Sequence, residues 1–294
     1  MADIQPDARA SGLPKRFGRT NWLHGSDVTI PAGRIYGLVG HNGAGKTTTL
    51  NALLGLTDCG GTIEVLGLDP FASRARLMND VAFISDVASL PRFLKVRELF
   101  DLVDGIHPRF SRSAAIDFLG GTDIRQTARI KTLSKGMLAQ LHLALVMAID
   151  ARLLVLDEPT LGLDITYRKR FYKRLLEDYM NDDRTILITT HQVDEIEFML
   201  TDIMFMREGS LVLDMPMEQV EERFTQLVTS GEKAERAAGL GPRYRETRFG
   251  QTMMIFDGVA RGQLAELGTV STPSLSDLFV ALMEHDHVNP EISK

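Results

Sequence analysis

The sequence predicts an α/β protein built on a parallel sheet with helices on both faces, and three observations carry that prediction. An apolar run from Arg34 to Gly40 ends in a glycine-rich turn and continues into a helix-like stretch, Lys46 to Leu54. Two more short, continuously apolar runs follow, Leu153 to Asp157 and Thr185 to Thr190. A polar, helix-like stretch from Ile165 to Tyr179 lies between them. Strands that are apolar without alternation are buried on both faces, and strands that alternate with helices pair in parallel.

The remaining elements read in order. Between Phe71 and Lys131 the pattern turns helical, with Val96 to Asp104 and Ser113 to Leu119 as helices and Gly120-Gly121 as punctuation, so an inserted helical subdomain is expected at about 87–140. After Gly209 a last strand, Ser210 to Asp214, is followed by a helix or linker from Glu218 to Phe224, which puts a boundary near 216. Residues 1–215 then form the main domain and 216–294 a small α+β appendage. In the appendage Phe224 to Ser230, Tyr244 to Phe249 and Met253 to Phe256 read as strands, and Gly231 to Ala238 and Ser274 to Met283 as helices.

Composition limits what such a protein does. The chain has 294 residues, 44% of them hydrophobic, enough for one large or two small domains. Its 33 Lys and Arg are outnumbered by 39 Asp and Glu, a net charge of −6 that argues against a general nucleic-acid footprint. The most apolar stretches, such as Leu138 to Ile149 with Gln140 and His142 inside it, fall short of the roughly 20 apolar residues of a membrane span. No bilayer-crossing segment is expected. Met1 to Lys15 carries no apolar core of a secretory signal, and the single Cys59 has no partner within the chain, as in a cytosolic protein.

Chemistry enters at Gly40-His41-Asn42-Gly43-Ala44-Gly45-Lys46-Thr47, with Thr48 beside it. This fits the phosphate-binding pattern G-x-x-x-x-G-K-[ST] and sits between a strand and a helix, where that pattern works. Glycines let successive N–H groups turn toward phosphate oxygens, and the helix N-terminus favours the anion. Lys46 would bridge the β- and γ-phosphates of a nucleotide, and the Thr47 hydroxyl would reach Mg²⁺. An ordinary glycine-rich turn is the competing reading. The strand Leu153 to Asp157 delivers two adjacent carboxylates, Asp157 and Glu158, at the sheet edge where α/β folds place ligands. Asp157 would hold the metal and Glu158 would polarise an attacking water; a plain surface cap is the alternative.

Together these segments resemble the ABC-type ATPases. Leu133-Ser134-Lys135-Gly136-Met137 is similar to that family's LSGGQ signature, with Lys135 for the middle glycine and Met137 for the glutamine, a variant found in ATPases of drug, peptide and bacteriocin exporters. Leu161-Gly162-Leu163-Asp164 matches the D-loop, and Thr189-Thr190-His191 matches the switch histidine. The resemblance implies a P-loop core of RecA-like parallel-sheet type, a helical subdomain and an antiparallel β subdomain. It also implies that Ser134 and Gly136 bind the γ-phosphate of ATP held by the opposite subunit, that Asp164 crosses the dimer interface, and that His191 orients the attacking water with Glu158. It places Asp86 where a glutamine normally ligates Mg²⁺, and Phe17 where an aromatic stacks on adenine. The tail beyond 216 resembles appendages on ABC-2 type exporter ATPases.

The function so implied is that of an ATP-hydrolysing subunit, binding ATP and Mg²⁺, of an ABC transporter of exporter type. A dimer of such subunits, expected to be a homodimer, would drive a separate transmembrane permease from the cytoplasmic face of the membrane as a peripheral component, without nucleic acid. Ser89 to Arg97, with its aromatic and basic residues, is the expected docking surface. The alternative is a soluble ABC ATPase that acts as a mechanical switch on ribosomes or DNA. A GTPase is disfavoured because no Asn-Lys-x-Asp motif is present.

Overall fold

The computed structural model describes residues 7–11, 28–57, 61–85, 90–181 and 183–283. The first half runs β1 (Ala8–Ser11), β2 (Val28–Ile30), β3 (Ile35–Val39), α1 (Lys46–Leu53), β4 (Thr62–Val65), α2 (Arg74–Leu77), β5 (Val81–Ile84), α3 (Val96–Ile106), α4 (Arg112–Leu119) and α5 (Lys135–Met147). Then come β6 (Leu153–Asp157), α6 (Ile165–Arg174), β7 (Thr185–Thr190), β8 (Asp202–Arg207), β9 (Ser210–Pro216) and α7 (Met217–Arg223). The C-terminal part is β10 (Phe224–Thr229), α8 (Glu232–Ala238), β11 (Tyr244–Arg248), β12 (Gln251–Asp257), α9 (Arg261–Ala265), β13 (Thr269–Ser271) and α10 (Leu275–Met283).

Six strands form the central sheet in the order β5-β6-β7-β3-β8-β9. All neighbours pair in parallel except β8 with β9, which make a hairpin. The hairpin turns at Glu208-Gly209, where φ is 48° and 80°, the doubly left-handed backbone that matches strand twist. Every residue of β3, β6 and β7 is buried, as their continuous apolar character predicts. The two-residue repeat of a strand divides them between two cores. Leu154, Leu156, Ile186, Ile188, Ile203 and Phe205 enter the core on the helical side. Leu153, Val155, Leu187 and Met204 enter the core between this sheet, α1 and a three-stranded antiparallel sheet ordered β2-β1-β4.

One stretch departs from the sequence expectation. The region from Phe71 to Lys131 is not helical throughout: between α2 and α3, Val81–Ile84 pairs in parallel with β6 as the edge strand β5. Four apolar residues are too few for their period to separate a strand from a helix.

The C-terminal sheet, ordered β11-β12-β10-β13, is antiparallel. Leu227, Met254 and Phe256 pack beneath α8 and α9 in a small core of their own, whereas Phe224 and Ile255 join the main core. Among the described residues, no helix is long and apolar enough to cross a membrane.

Candidate active site

The site is built where β3 turns into α1. Gly40 follows the last residue of β3, and a Cβ there would lie 2.6 Å from the Met206 carbonyl and 2.9 Å from the Ala44 Cβ, so only glycine lets the loop lie against β8. Gly43 and Gly45 have φ of 84° and 111°, the left-handed region that costs a side-chain-bearing residue about 1–2 kcal/mol. The Ala44 amide donates to the His41 carbonyl at 3.0 Å, and the Ala44 carbonyl accepts from Gly209 at 2.8 Å. The β8–β9 turn therefore braces the loop from outside. No side chain caps the start of α1, so its first N–H groups remain for a ligand.

A cavity of about 250 Å³ opens there, lined by Asn42, Gly43, Ala44, Gly45, Lys46, Thr47, Thr48, Asp157 and Glu158. Lys46 is 7% exposed, and its Nζ donates to the Gly40 carbonyl at 2.6 Å and the His41 carbonyl at 3.4 Å. Burial pulls the Lys46 ammonium below its usual pKa, while the carboxylates of Glu158 and Asp157 oppose that shift. A buried cation held only by carbonyl oxygens is a ready countercharge for phosphate.

Asp157, 2% exposed, accepts from the Thr47 hydroxyl at 3.0 Å through Oδ2 and from the Thr189 hydroxyl through Oδ1. A hydroxyl and a carboxylate converging on the cavity are the hard oxygen donors that Mg²⁺ selects. Among the described residues no group of three or more His, Cys, Asp or Glu is placed to hold a metal ion by itself; at this site phosphate oxygens and water would complete the shell, as Mg²⁺ prefers.

Glu158 follows at φ 48°, a left-handed backbone unusual for a residue with a side chain. Its amide donates to the Thr189 carbonyl at 3.1 Å, which ties the strained residue to the end of β7. Its carboxylate lies 2.8 Å from the Nδ1 of His191 and accepts the imidazole N–H. Residues 33 positions apart thus meet because β6 and β7 are parallel neighbours that end together.

Other candidates lie elsewhere. The ring of His41 stands outside the cavity lining and packs against Phe279, while its carbonyl serves the loop. Ser134 caps α5, its hydroxyl accepting from the Met137 amide at 3.2 Å. Asp164 caps α6, accepting from the Tyr167 amide at 2.9 Å. A Cβ on Gly136 would meet the Gly162 carbonyl at 3.7 Å, so the signature-like and D-loop-like segments adjoin each other but not this cavity. Phe17 and Asp86 fall outside the described residues. Thr189 and Phe279 are the residues that sequence reasoning missed. Thr189 was named only within the switch triplet, and nothing in the local pattern ties Phe279 to a loop more than 200 positions away.

A glycine loop, a buried lysine, a hydroxyl opening a helix and two carboxylates at the end of a nearby parallel strand define a nucleoside triphosphatase of the P-loop class. The sequence pattern of the ABC transporter family matches residues 23–161. Nod factor export ATP-binding protein I of Burkholderia lata is 38% identical across 69% of this chain and 68% of its own length. The protein of that name in Rhizobium meliloti is 32% identical across 92% of this chain and 86% of its own. A solved ATP-binding subunit of an ABC transporter superposes with a TM-score of 0.65 at 21% identity, covering 73% of this chain and 92% of that one, a likeness of fold. The chain belongs to the ABC transporter ATP-binding family. Its members are ATPases that bind ATP and work with a transmembrane component.

Proposed function

We propose that this chain is the ATP-hydrolysing subunit of an exporter, working as a homodimer at the cytoplasmic face of a membrane on a separate permease. The observation that carries the reading is the cavity in which Lys46, Thr47, Asp157 and Glu158 converge. Relatives named for Nod factor export support the direction of transport. Residues 1–215 would handle the nucleotide and 216–294 would form an accessory unit.

In the proposed cycle the loop amides from Gly43 to Thr48 and the Lys46 ammonium hold the phosphates of ATP. Thr47 and Asp157 would hold Mg²⁺, which when bound neutralises charge on the β- and γ-phosphates. Glu158 accepts a proton from the attacking water as its oxygen bonds to the γ-phosphorus. The bond to the β-phosphate oxygen breaks, and ADP leaves with that electron pair. His191 fixes the Glu158 carboxylate through Nδ1 and keeps its other ring nitrogen for the γ-phosphate or the water. Ser134 and Gly136 reach no nucleotide within their own subunit, so they would serve the site of the partner, with Asp164 at the seam. Phe93, 74% exposed just before α3, supports a docking surface for the permease on Ser89 to Arg97, of which Ser89 lies outside the described residues.

The test is affinity capture of the tagged Glu158→Gln protein from detergent-solubilised membranes with Mg-ATP, read by mass spectrometry. Recovery of a multi-span membrane protein is expected. Ribosomes or DNA-associated factors in its place would overturn the transporter assignment and leave the ATPase chemistry.

A further inference from the structure

The helix α10 belongs by position to the C-terminal unit and by packing to the ATP site. Leu275, Leu278 and Ala281 are buried in the main core with residues of β3, β7 and β8, not in the small core under the C-terminal sheet. Polar contacts fasten it at both ends. At its start the Leu275 amide donates to Glu197 Oε1 at 3.1 Å and the Ser276 hydroxyl to Asp194 Oδ1 at 2.5 Å. Both acceptors sit on the two single turns that follow His191, Val193–Glu195 and Glu197–Met199. At its end Arg207 of β8 donates to the Met283 carbonyl at 3.2 Å.

Between these ties one ring reaches the phosphate loop. Phe279 packs edge-on to Phe205 of β8, with centroids 5.2 Å apart, and lies 5.0 Å from the ring of His41. His41 is the second residue of the loop, and its carbonyl receives both the Ala44 amide and Lys46 Nζ. The peptide that seats the phosphate-binding lysine is therefore anchored through an imidazole held by α10. The other wall of the loop is the end of β8 at Met206 and the β8–β9 turn at Gly209. Phe279 packs on the loop through His41 and on β8 through Phe205.

We infer that Phe279 is a positioning residue for ATP binding: acting through His41, it holds the loop where Lys46 and the loop amides meet phosphate, and it makes α10 a strut between the C-terminal unit and the nucleotide site. The inference rests on the nucleotide-binding reading of the cavity. A Phe that only filled the core would change stability and leave ATP affinity alone. A strut changes affinity through a second residue, and so shows coupling.

The experiment is a double-mutant cycle on the full chain, with KM for ATP and kcat measured in Mg²⁺ buffer and thermal melting in parallel. Phe279→Ala is expected to raise KM about three- to tenfold, the weight of one aromatic pair, with a smaller change in kcat. Phe279→Tyr keeps the ring and restores the wild-type KM. His41→Ala raises KM to a similar degree, and the double variant is no worse than the weaker-binding single one. Should Phe279→Ala fail to fold, Phe279→Leu retains apolar volume against Phe205, removes the ring and reads the same coupling. An unchanged KM in Phe279→Ala and Phe279→Leu, or single effects that multiply in the double variant, would overturn the inference while wild-type turnover leaves the ATPase reading intact. A wild-type chain that neither binds nor hydrolyses ATP would overturn both.

Discussion

The phosphate loop and the segment beginning at Ser134 both open helices, yet they stand in opposite conditions. At the loop, α1 starts without any side-chain cap, the neighbouring lysine is buried, and a cavity lies in front of the free N–H groups. At Ser134, the hydroxyl is already spent on the Met137 amide, and Ser134 does not line the cavity. One helix start is complete except for its ligand. The other is satisfied within the chain and has no nucleotide to reach. The difference is what the proposed dimer requires: a single subunit would carry one whole phosphate cradle and one half of a second, and association would be built into the division of labour.

That contrast can be broken, starting with the largest effect. Lys46→Ala removes the buried countercharge and is expected to weaken ATP binding by at least about 100-fold in a calorimetric titration. An unchanged affinity would mean that the loop amides suffice alone. Glu158→Gln keeps the cradle and removes the proposed proton acceptor, so turnover should fall about 10²- to 10³-fold while an ATP-bound dimer accumulates in gel filtration. The halves are separated by mixing: Lys46→Ala and Ser134→Arg subunits, each inactive alone, should recover about a quarter of wild-type activity, because half of the dimers are mixed and each holds one intact site. No recovery would place the Ser134 segment outside the partner's site.

The smallest effect is expected away from both cradles, at Asp214 on the edge strand β9. Burial, and then the charge of Asp202, raise its pKa from 3.8 to about 6. The folded state therefore holds the proton more tightly than the unfolded chain, so stability falls as pH rises between about 4 and 6 and is level above that. Asp214→Asn should stabilise at pH 8 and not at pH 4, by under about 1 kcal/mol because solvent at this edge screens the penalty. Melting curves at the two pH values check the sign.

What the sequence made legible was local. The loop from Gly40 to Thr47 is contiguous, and its spacing states its chemistry; Asp157 and Glu158 end a continuous apolar run that reads as a buried strand. The strands β1, β2 and β4 left no such trace, because three or four residues that alternate between buried and exposed are too short to set a period. Their pairing joins Ala8 to Val65, far apart in the chain. The Thr189 contact to Asp157 and the Phe279 contact to His41 are products of strand order and helix docking, which no local pattern records. An amphipathic helix over Ser274 to Met283 could be read from its residues, but not the face it would cover.

The left-handed backbone at Glu158 bears on how this protein could be engineered. A residue with a Cβ at φ 48° carries strain of about 1–2 kcal/mol that glycine would not. Any search for thermostable variants will therefore favour glycine at 158, the substitution there that relaxes the turn most fully and deletes the carboxylate with it. Robustness and turnover pull against each other at this single position. A chain hardened for heat would have to gain its margin elsewhere, and a natural relative with glycine at this place would be expected to bind ATP firmly and spend it slowly.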